Sequence, residues 1–529
     1  MLENKSITGS LEKKIYQLII GRLEGEKIPI QVYQEKIFEL TGRGIGGFII
    51  FGGERDEVKS FISRLQSISE IPLFIASDIE RGVGQQILGA TPFPCQMALS
   101  AAVDRSNPGD VVVLRSAVKA IADEARDIGI NMPLIPVLDV NRNPDNPIIC
   151  TRAFSDKPEE VAWFGSEYID ILEGAGLVSC AKHFPGHGDT AADSHIELPV
   201  IHKSYKDLSD GDIIPFREAI HKGVGSIMVG HLCLPALDDR PASLSRRIIT
   251  DILRGDLGFN GVIMTDALNM DALKEIGNVS VECLKAGADI LLHPSDCEMA
   301  IEELMSAVKS EEIVAERIEE AVDRILGQKA RLQKKERMDV DYQGHENLSC
   351  LITERSIGIA KNSGFSPIRD AGNVCLIFTG DGEMYESSPF KKYFKNFFAI
   401  NEMKKKGDHE SPTFSKVGAV QSRCGGEFFL GETTIFAIFT SVSAWKGSSG
   451  ISEEEKSGIH DLIRKAEHSI VISFGSPYVL RHFEDADMLI AAYEATEQAQ
   501  QAVLKCLDGR LNFKGRIPVE IADRPLRKG

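Results

Sequence analysis

Over the first 335 or so residues, short apolar runs alternate with stretches whose apolar positions recur at helical spacing. The runs Tyr16–Arg22, Gly46–Phe51, Pro72–Ser77, Met132–Leu138, Leu177–Lys182, Ser226–Val229, Gly261–Thr265 and Ala288–Leu292 predict strands. Most are apolar and β-branched throughout rather than alternating, the pattern of strands covered on both faces of a parallel sheet. Between them, Asp110–Arg126, Glu159–Glu173 and Asp210–His221 predict covering helices. About eight strand-then-helix units predict an α/β fold closed as a (β/α)8 TIM barrel, with a doubly wound open sheet as the alternative. Several predicted strands end in polar residues: Asp78, Asp139, Lys182-His183, His231, Asp266 and His293. In a barrel those ends share one face, where such folds place their chemistry.

The helical pattern ending near Leu332 runs into the charged stretch Gln333-Lys334-Lys335-Glu336-Arg337, and past Leu348 the rhythm restarts on a smaller scale. Asn373–Thr379, Asn396–Ile400, Thr434–Thr440, Ser469–Phe474 and Met488–Tyr493 predict strands separated by helices. The expected division is a barrel over residues 1–335, a linker over 336–350 and a smaller α/β sandwich over 351–529. No internal repeat or low-complexity tract interrupts this plan.

Composition narrows the function classes. Hydrophobic residues make up 43% and charged residues 26% of the 529, a globular balance. A net charge of -18 argues against nucleic acid and against anionic membrane surfaces, both of which call for clustered Lys and Arg. The ten cysteines form no Cys-x-x-Cys pair, which fits neither a disulfide framework nor a zinc site and suits a reducing compartment. Residues 1–14 are polar and mixed in charge, and no run approaches the roughly 20 apolar residues that span a bilayer. The expectation is a cytoplasmic monomer or homodimer.

Two places carry chemistry. Asp266 follows the apolar run Gly261–Thr265, so a rigid sheet can aim its carboxylate as nucleophile, base or metal ligand. The competing reading is a helix N-cap. The segment Ala181–Pro199 holds His183, His187, His195, Asp189 and Asp193, with Gly186 and Gly188 allowing a sharp fold over the barrel mouth. Asp193-Ser194-His195 sets a carboxylate where it can orient an imidazole, which can then serve as general acid and general base near neutral pH. A surface loop with local hydrogen bonds is the plainer reading. His183 and His187 stand four apart, but Pro185 and the glycines oppose a helix there, so the spacing loses its meaning as a metal-ligand pair and no metal is expected. Asp78, Glu80 and Arg152 can bind sugar hydroxyls or simply satisfy strand ends and the barrel rim.

Taken together these segments resemble glycoside hydrolase family 3, and within it the β-N-acetylglucosaminidase branch. The motifs run in order along nearly the whole chain: Asp78-Ile79-Glu80, Pro136–Val140, Asn146-Pro147, Thr151–Phe154, Lys182–Pro199, Met228–His231, Pro241–Ser245 and Gly258–Met270. In the smaller unit, Ser476-Pro477-Tyr478 and Gly509–Ile521 are similar to the family's C-terminal sandwich. The resemblance implies that Asp266 is the nucleophile, His195 the acid/base and Asp193 its orienting partner. It further implies that Asp78, Arg152, Lys182 and His183 hold the non-reducing sugar, with no cofactor and double displacement with retention. The implied ligand is a small-molecule carbohydrate, such as GlcNAc-capped muropeptides. A histidine in place of the second carboxylate repels anions less, so a phosphorylase activity is an alternative, as is a different sugar specificity or a non-catalytic sugar-binding role. One segment departs from the branch pattern: Arg81 stands where the first glycine after Glu80 is usual, and Gln86 where an arginine is usual. Arg81 is therefore a further candidate for binding substrate from a different angle, with a reshaped loop as the alternative.

Overall fold

The computed structural model describes residues 10–194, 196, 198–332, 339–381, 387–399, 430–442 and 446–521. His195 lies outside the described residues. In chain order the barrel strands are β1 (Ile19–Glu24), β2 (Gly47–Phe51), β3 (Phe74–Ser77), β4 (Met132–Pro133), β5 (Cys180–Phe184), β6 (Ser226–Val229), β7 (Val262–Thr265) and β8 (Leu291–Leu292). They form two parallel sheets, ordered β8-β1-β2-β3-β4 and β5-β6-β7. Parallel bridges from Val137 to Lys182 and from Met264 to Ile290 join the sheets at both edges. Backbone bonds cross the same seams, from Cys180 N to Ile135 O and from Thr265 N to Ile290 O, each at 3.0 Å. The two sheets thus close into the expected α/β barrel.

Strand length departs from the apolar pattern at three places. Leu11–Tyr16 is a helix capped by Ser10, whose hydroxyl accepts from Lys13 N, so β1 starts only at Ile19. The run Met132–Leu138 contains Pro133 and Pro136, which lack an N–H, and its ladder shortens to two residues. The run at Ala288 pairs regularly only at Leu291 and Leu292. Two covering helices follow their pattern to within two residues, while the run Asp210–His221 is helical only over Ile214–His221. Pro108–Ile128 starts where the Asn107 side chain accepts from Gly109 N and stops at Gly129, whose φ is +106°. It buries Leu114, Ala117, Val118, Ile121, Ala125 and Ile128, one helical face, against the barrel.

A second sheet comprises β9 (Gly358–Asn362), β10 (Val374–Gly380), β11 (Phe397–Ala399), β12 (Thr433–Phe439), β13 (His468–Phe474) and β14 (Met488–Ala491), in the order β9-β14-β13-β12-β10-β11. All pairings are parallel except that of β9 with β14. Side chains alternate between two cores: Leu376, Phe378, Ile435, Ala437, Ile470 and Ile472 on one face, Cys375, Ile377, Phe436, Ile438 and Val471 on the other. This is the sandwich that the sequence predicts. β9 went unforeseen because its edge position leaves Lys361 and Asn362 partly or fully exposed and removes the apolar signature.

Of the segment expected as a linker, 336–350, residues 336–338 lie outside the described residues and the part from Tyr342 on is helical. Tyr342–Ser356 is a helix, capped by the Asp341 carboxylate accepting from Gly344 N, and it buries Ser349, Ile352 and Thr353. Its polar composition reads as solvated chain, but Ser349 Oγ donates to Pro92 O at 2.7 Å and ties it to the barrel. A second junction is apolar. In the helix Gln96–Ala102, Met97, Ala98 and Ala101, with Cys95 and Cys150, join the core that contains Phe436, Leu480 and Tyr493 of the second sheet unit.

Candidate active site

The carboxyl ends of the barrel strands and of β12 and β14 open onto one cavity of about 830 Å³. From the barrel come Asp78, Glu80, Arg81, Arg152, Lys182, His183, His187, Ser194, Asp266 and His293; from the second unit come Thr440–Val442 and Tyr493–Thr496. Open α/β sheets present ligand sites at these strand ends, and barrels do the same, so the two rules converge here. Arg22, Arg81, Arg152 and Lys182 are matched by Asp78, Glu80, Asp266 and Glu494, which makes the lining polar but balanced in charge.

Asp78 and Glu80 follow β3, Lys182 and His183 stand on β5, and Arg152 ends the turn Cys150–Arg152. Lys182 Nζ donates to Asp78 Oδ1 at 2.6 Å and pairs with Glu80 Oε1 at 2.8 Å. Arg152 donates to the same carboxylate through Nε and Nη2, both at 2.8 Å. Glu80 is thus the hub, with a side chain only 6% exposed. Burial pushes its carboxyl up, but the Arg152 guanidinium and the Lys182 ammonium more than offset this and hold it well below the usual range. Burial would likewise deprotonate Lys182, yet Asp78 and Glu80 raise its pKa instead. Asp78 keeps a 31% exposed side chain facing the cavity, whereas Glu80 lies beneath the cations it orients.

Asp139 makes a second hub. Fully buried, it accepts from His183 Nδ1 at 2.7 Å through one oxygen and from His187 N at 2.7 Å through the other. His183 Nε2 then faces Arg152 Nη2 at 3.5 Å. His187 Nδ1 meets Thr190 Oγ1 at 2.9 Å, while Thr190 Oγ1 donates to His187 O at 3.1 Å. Thr190 has one proton to give, so Nδ1 is assigned as the donor and Nε2 accepts from Ser194 Oγ at 3.0 Å. Burial lowers the His187 pKa to about 4, which keeps this imidazole neutral. Both its nitrogens are spent on hydroxyls, so the His183/His187 spacing serves loop geometry, as the absence of a helix implied. The chain from Asp139 through His187 to Ser194 fixes the stretch that contains buried Asp193.

Asp266 sits just past β7, its amide donating to Val229 O at 3.0 Å and its Oδ1 accepting from Ala267 N at 2.8 Å. The capping alternative does not hold, because the next α-helix begins only at Val279. His231 lies below the rim instead, bonded to Ser243 Oγ at 2.8 Å and to Ala267 O at 3.1 Å, where it supports the Asp266–Ala267 turn. The glycines of the loop act differently from each other. Gly186 takes φ +128°, while Gly188 is required by proximity, since a Cβ there would stand 1.9 Å from Val140 O.

Arg81 does not join the Asp78–Lys182 group. Its Nη1 pairs with Glu494 Oε1 of the second unit at 3.6 Å, and its amide N–H donates to Gln85 Oε1 at 2.7 Å. Gln86 donates to Asp78 O at 3.2 Å and shapes the turn. Sequence reasoning missed Glu80 and Asp139 as hubs and every contribution of the second unit. Only the strand-end position of Asp139 could have signalled it.

Residues 10–327 match the family described as Glycosyl hydrolase family 3 N terminal domain. The chain belongs to glycosyl hydrolase family 3. A family 3 β-N-acetylglucosaminidase from Paenibacillus sp. str. FPU-7 is 28% identical, with a TM-score of 0.79 over 97% of this chain and 99% of that one. Beta-hexosaminidase A of Pseudoalteromonas piscicida is 32% identical over 388 residues, 65% of this chain, and the match spans 64% of that protein's length. The Beta-N-acetylglucosaminidase/beta-glucosidase of Cellulomonas fimi is 26% identical over 90% of this family 3 chain and 89% of its own. Among the described residues no helix is long and apolar enough to cross a membrane.

Proposed function

We propose that this family 3 chain is a retaining exo-β-N-acetylglucosaminidase. Asp266 attacks the anomeric carbon, and His195, oriented by Asp193, protonates the leaving oxygen and then activates water for the second displacement. Asp78, Arg152, Lys182 and His183 hold the hydroxyls of the non-reducing sugar. The observation that carries this reading is the shared cavity. Asp266, Ser194 and the Asp78–Lys182–Arg152–His183 group line one charge-balanced space, which suits a neutral, hydroxyl-rich ligand. The Paenibacillus and Cellulomonas relatives are named as β-N-acetylglucosaminidases, which supports the N-acetyl sugar, and the Cellulomonas name adds β-glucosidase. GlcNAc-capped fragments such as muropeptides are the proposed natural substrates.

The test is release of p-nitrophenol from the β-N-acetylglucosaminide and from the β-glucoside. Faster release from the first is expected; release from the glucoside alone would overturn the N-acetyl assignment. Run in phosphate, the same reaction should yield free sugar. A sugar 1-phosphate product would reassign the chain as a phosphorylase.

A further inference from the structure

We propose that Arg81 and Glu494 form a specificity-determining clamp built from both units of the fold, which reads an amide substituent on the bound sugar. This rests on the function proposed above and extends it to two side chains outside the barrel's hydroxyl-binding group. Both residues line the cavity, and they meet across the junction at 3.6 Å. Arg81 has a 48% exposed side chain, whereas that of Glu494 is 8% exposed. Glu494 Oε1 is anchored by Cys95 N at 3.0 Å, a contact between residues 399 apart in sequence.

The backbone supports a built site. Tyr493 adopts φ +63° although it is not glycine, a costly conformation that delivers Glu494 to the cavity wall. The Tyr493 hydroxyl is buried and has no hydrogen-bond partner among the described residues. Burial also raises the Glu494 carboxyl, with the Arg81 guanidinium and the Cys95 amide opposing it. Such a group benefits from a further donor. An amide offers an N–H to a carboxylate and a C=O to a guanidinium, so a neighbouring Arg–Glu pair is complementary to it in both senses. A lone hydroxyl fills only one half of that arrangement. The barrel group, by contrast, spends Lys182 and Arg152 on Asp78 and Glu80 and is suited to hydroxyls.

The experiment compares kcat/KM on p-nitrophenyl β-N-acetylglucosaminide and β-glucoside for the full chain, R81Q, E494Q and the double variant. Gln at 494 can still accept from Cys95 N, and melting temperatures report whether each variant folds as the parent does. The N-acetyl to glucoside preference should fall about tenfold or more in each single variant, chiefly through KM, with the double variant close to the worse single. Equal losses on both substrates, or an unchanged preference, would overturn the clamp. If the parent itself fails on the N-acetyl substrate, the proposed function falls first. A parent active on it with insensitive variants removes the clamp alone.

Discussion

Replacing Glu80 by glutamine tests the reasoning about the site most directly. Its carboxylate accepts two bonds from Arg152 and pairs with Lys182, all at 2.8 Å. The side chains of Arg152 and Lys182 are 22% and 2% exposed. An amide can accept from one cation but turns its own donors toward the other. Lys182 keeps Asp78 at 2.6 Å, so the uncompensated charge falls mainly on Arg152. Removing one partner of a buried pair costs about 3–5 kcal/mol, and E80Q should lose stability of that order in urea denaturation. The group proposed to bind the sugar also loses its alignment, for which a drop of about a hundredfold in kcat/KM is expected. The double variant E80M/R152M removes both charges and should recover most of the stability while remaining inactive. Stability of E80Q within about 1 kcal/mol of the parent, or a double variant as unstable as the single one, would refute the hub.

Three further outcomes follow from the geometry. Asp266→Ala should abolish turnover, and His195→Ala should lose most activity on poor leaving groups, because proton donation matters most there; full activity of either variant on a natural disaccharide would end its assigned role. Burial holds His187 and His293 at about 4, against 6.5 in the unfolded chain. The folded state then binds fewer protons between those values, so stability should rise with pH across that window, by on the order of 1–3 kcal/mol per histidine. A flat denaturation midpoint from pH 4 to 6.5 would contradict it. Gly188→Ala should cost several-fold or more in activity with little change in far-UV signal, since the loop must move off Val140; crystallography or activity equal to the parent would show otherwise.

Much of this was legible because it is local. β2, β6 and β7 follow their apolar runs to within a residue, and Asp78 and Asp266 stand at strand ends as the pattern implies. The barrel and sandwich follow from the same rhythm. What stayed hidden depends on tertiary proximity. Glu80 and Asp139 look like ordinary strand-end acids until Arg152, His183 of β5 and the loop bearing His187 close on them. The helix Tyr342–Ser356 carries a polar sequence that reads as linker until Pro92 meets it. Glu494 lies in a stretch without any motif, and its partners Cys95 and Arg81 belong to the other end of the chain.

The helix Gln96–Ala102 has a consequence of its own. Because Met97, Ala98 and Ala101 lie in the same apolar cluster as Phe436 and Leu480, neither half of the molecule owns that core. Scission between the halves would bare a greasy face on each, and the two should melt in one calorimetric peak rather than two. Recombining either half with that of a distant relative would first have to solve a packing problem, well before any question of catalysis arose.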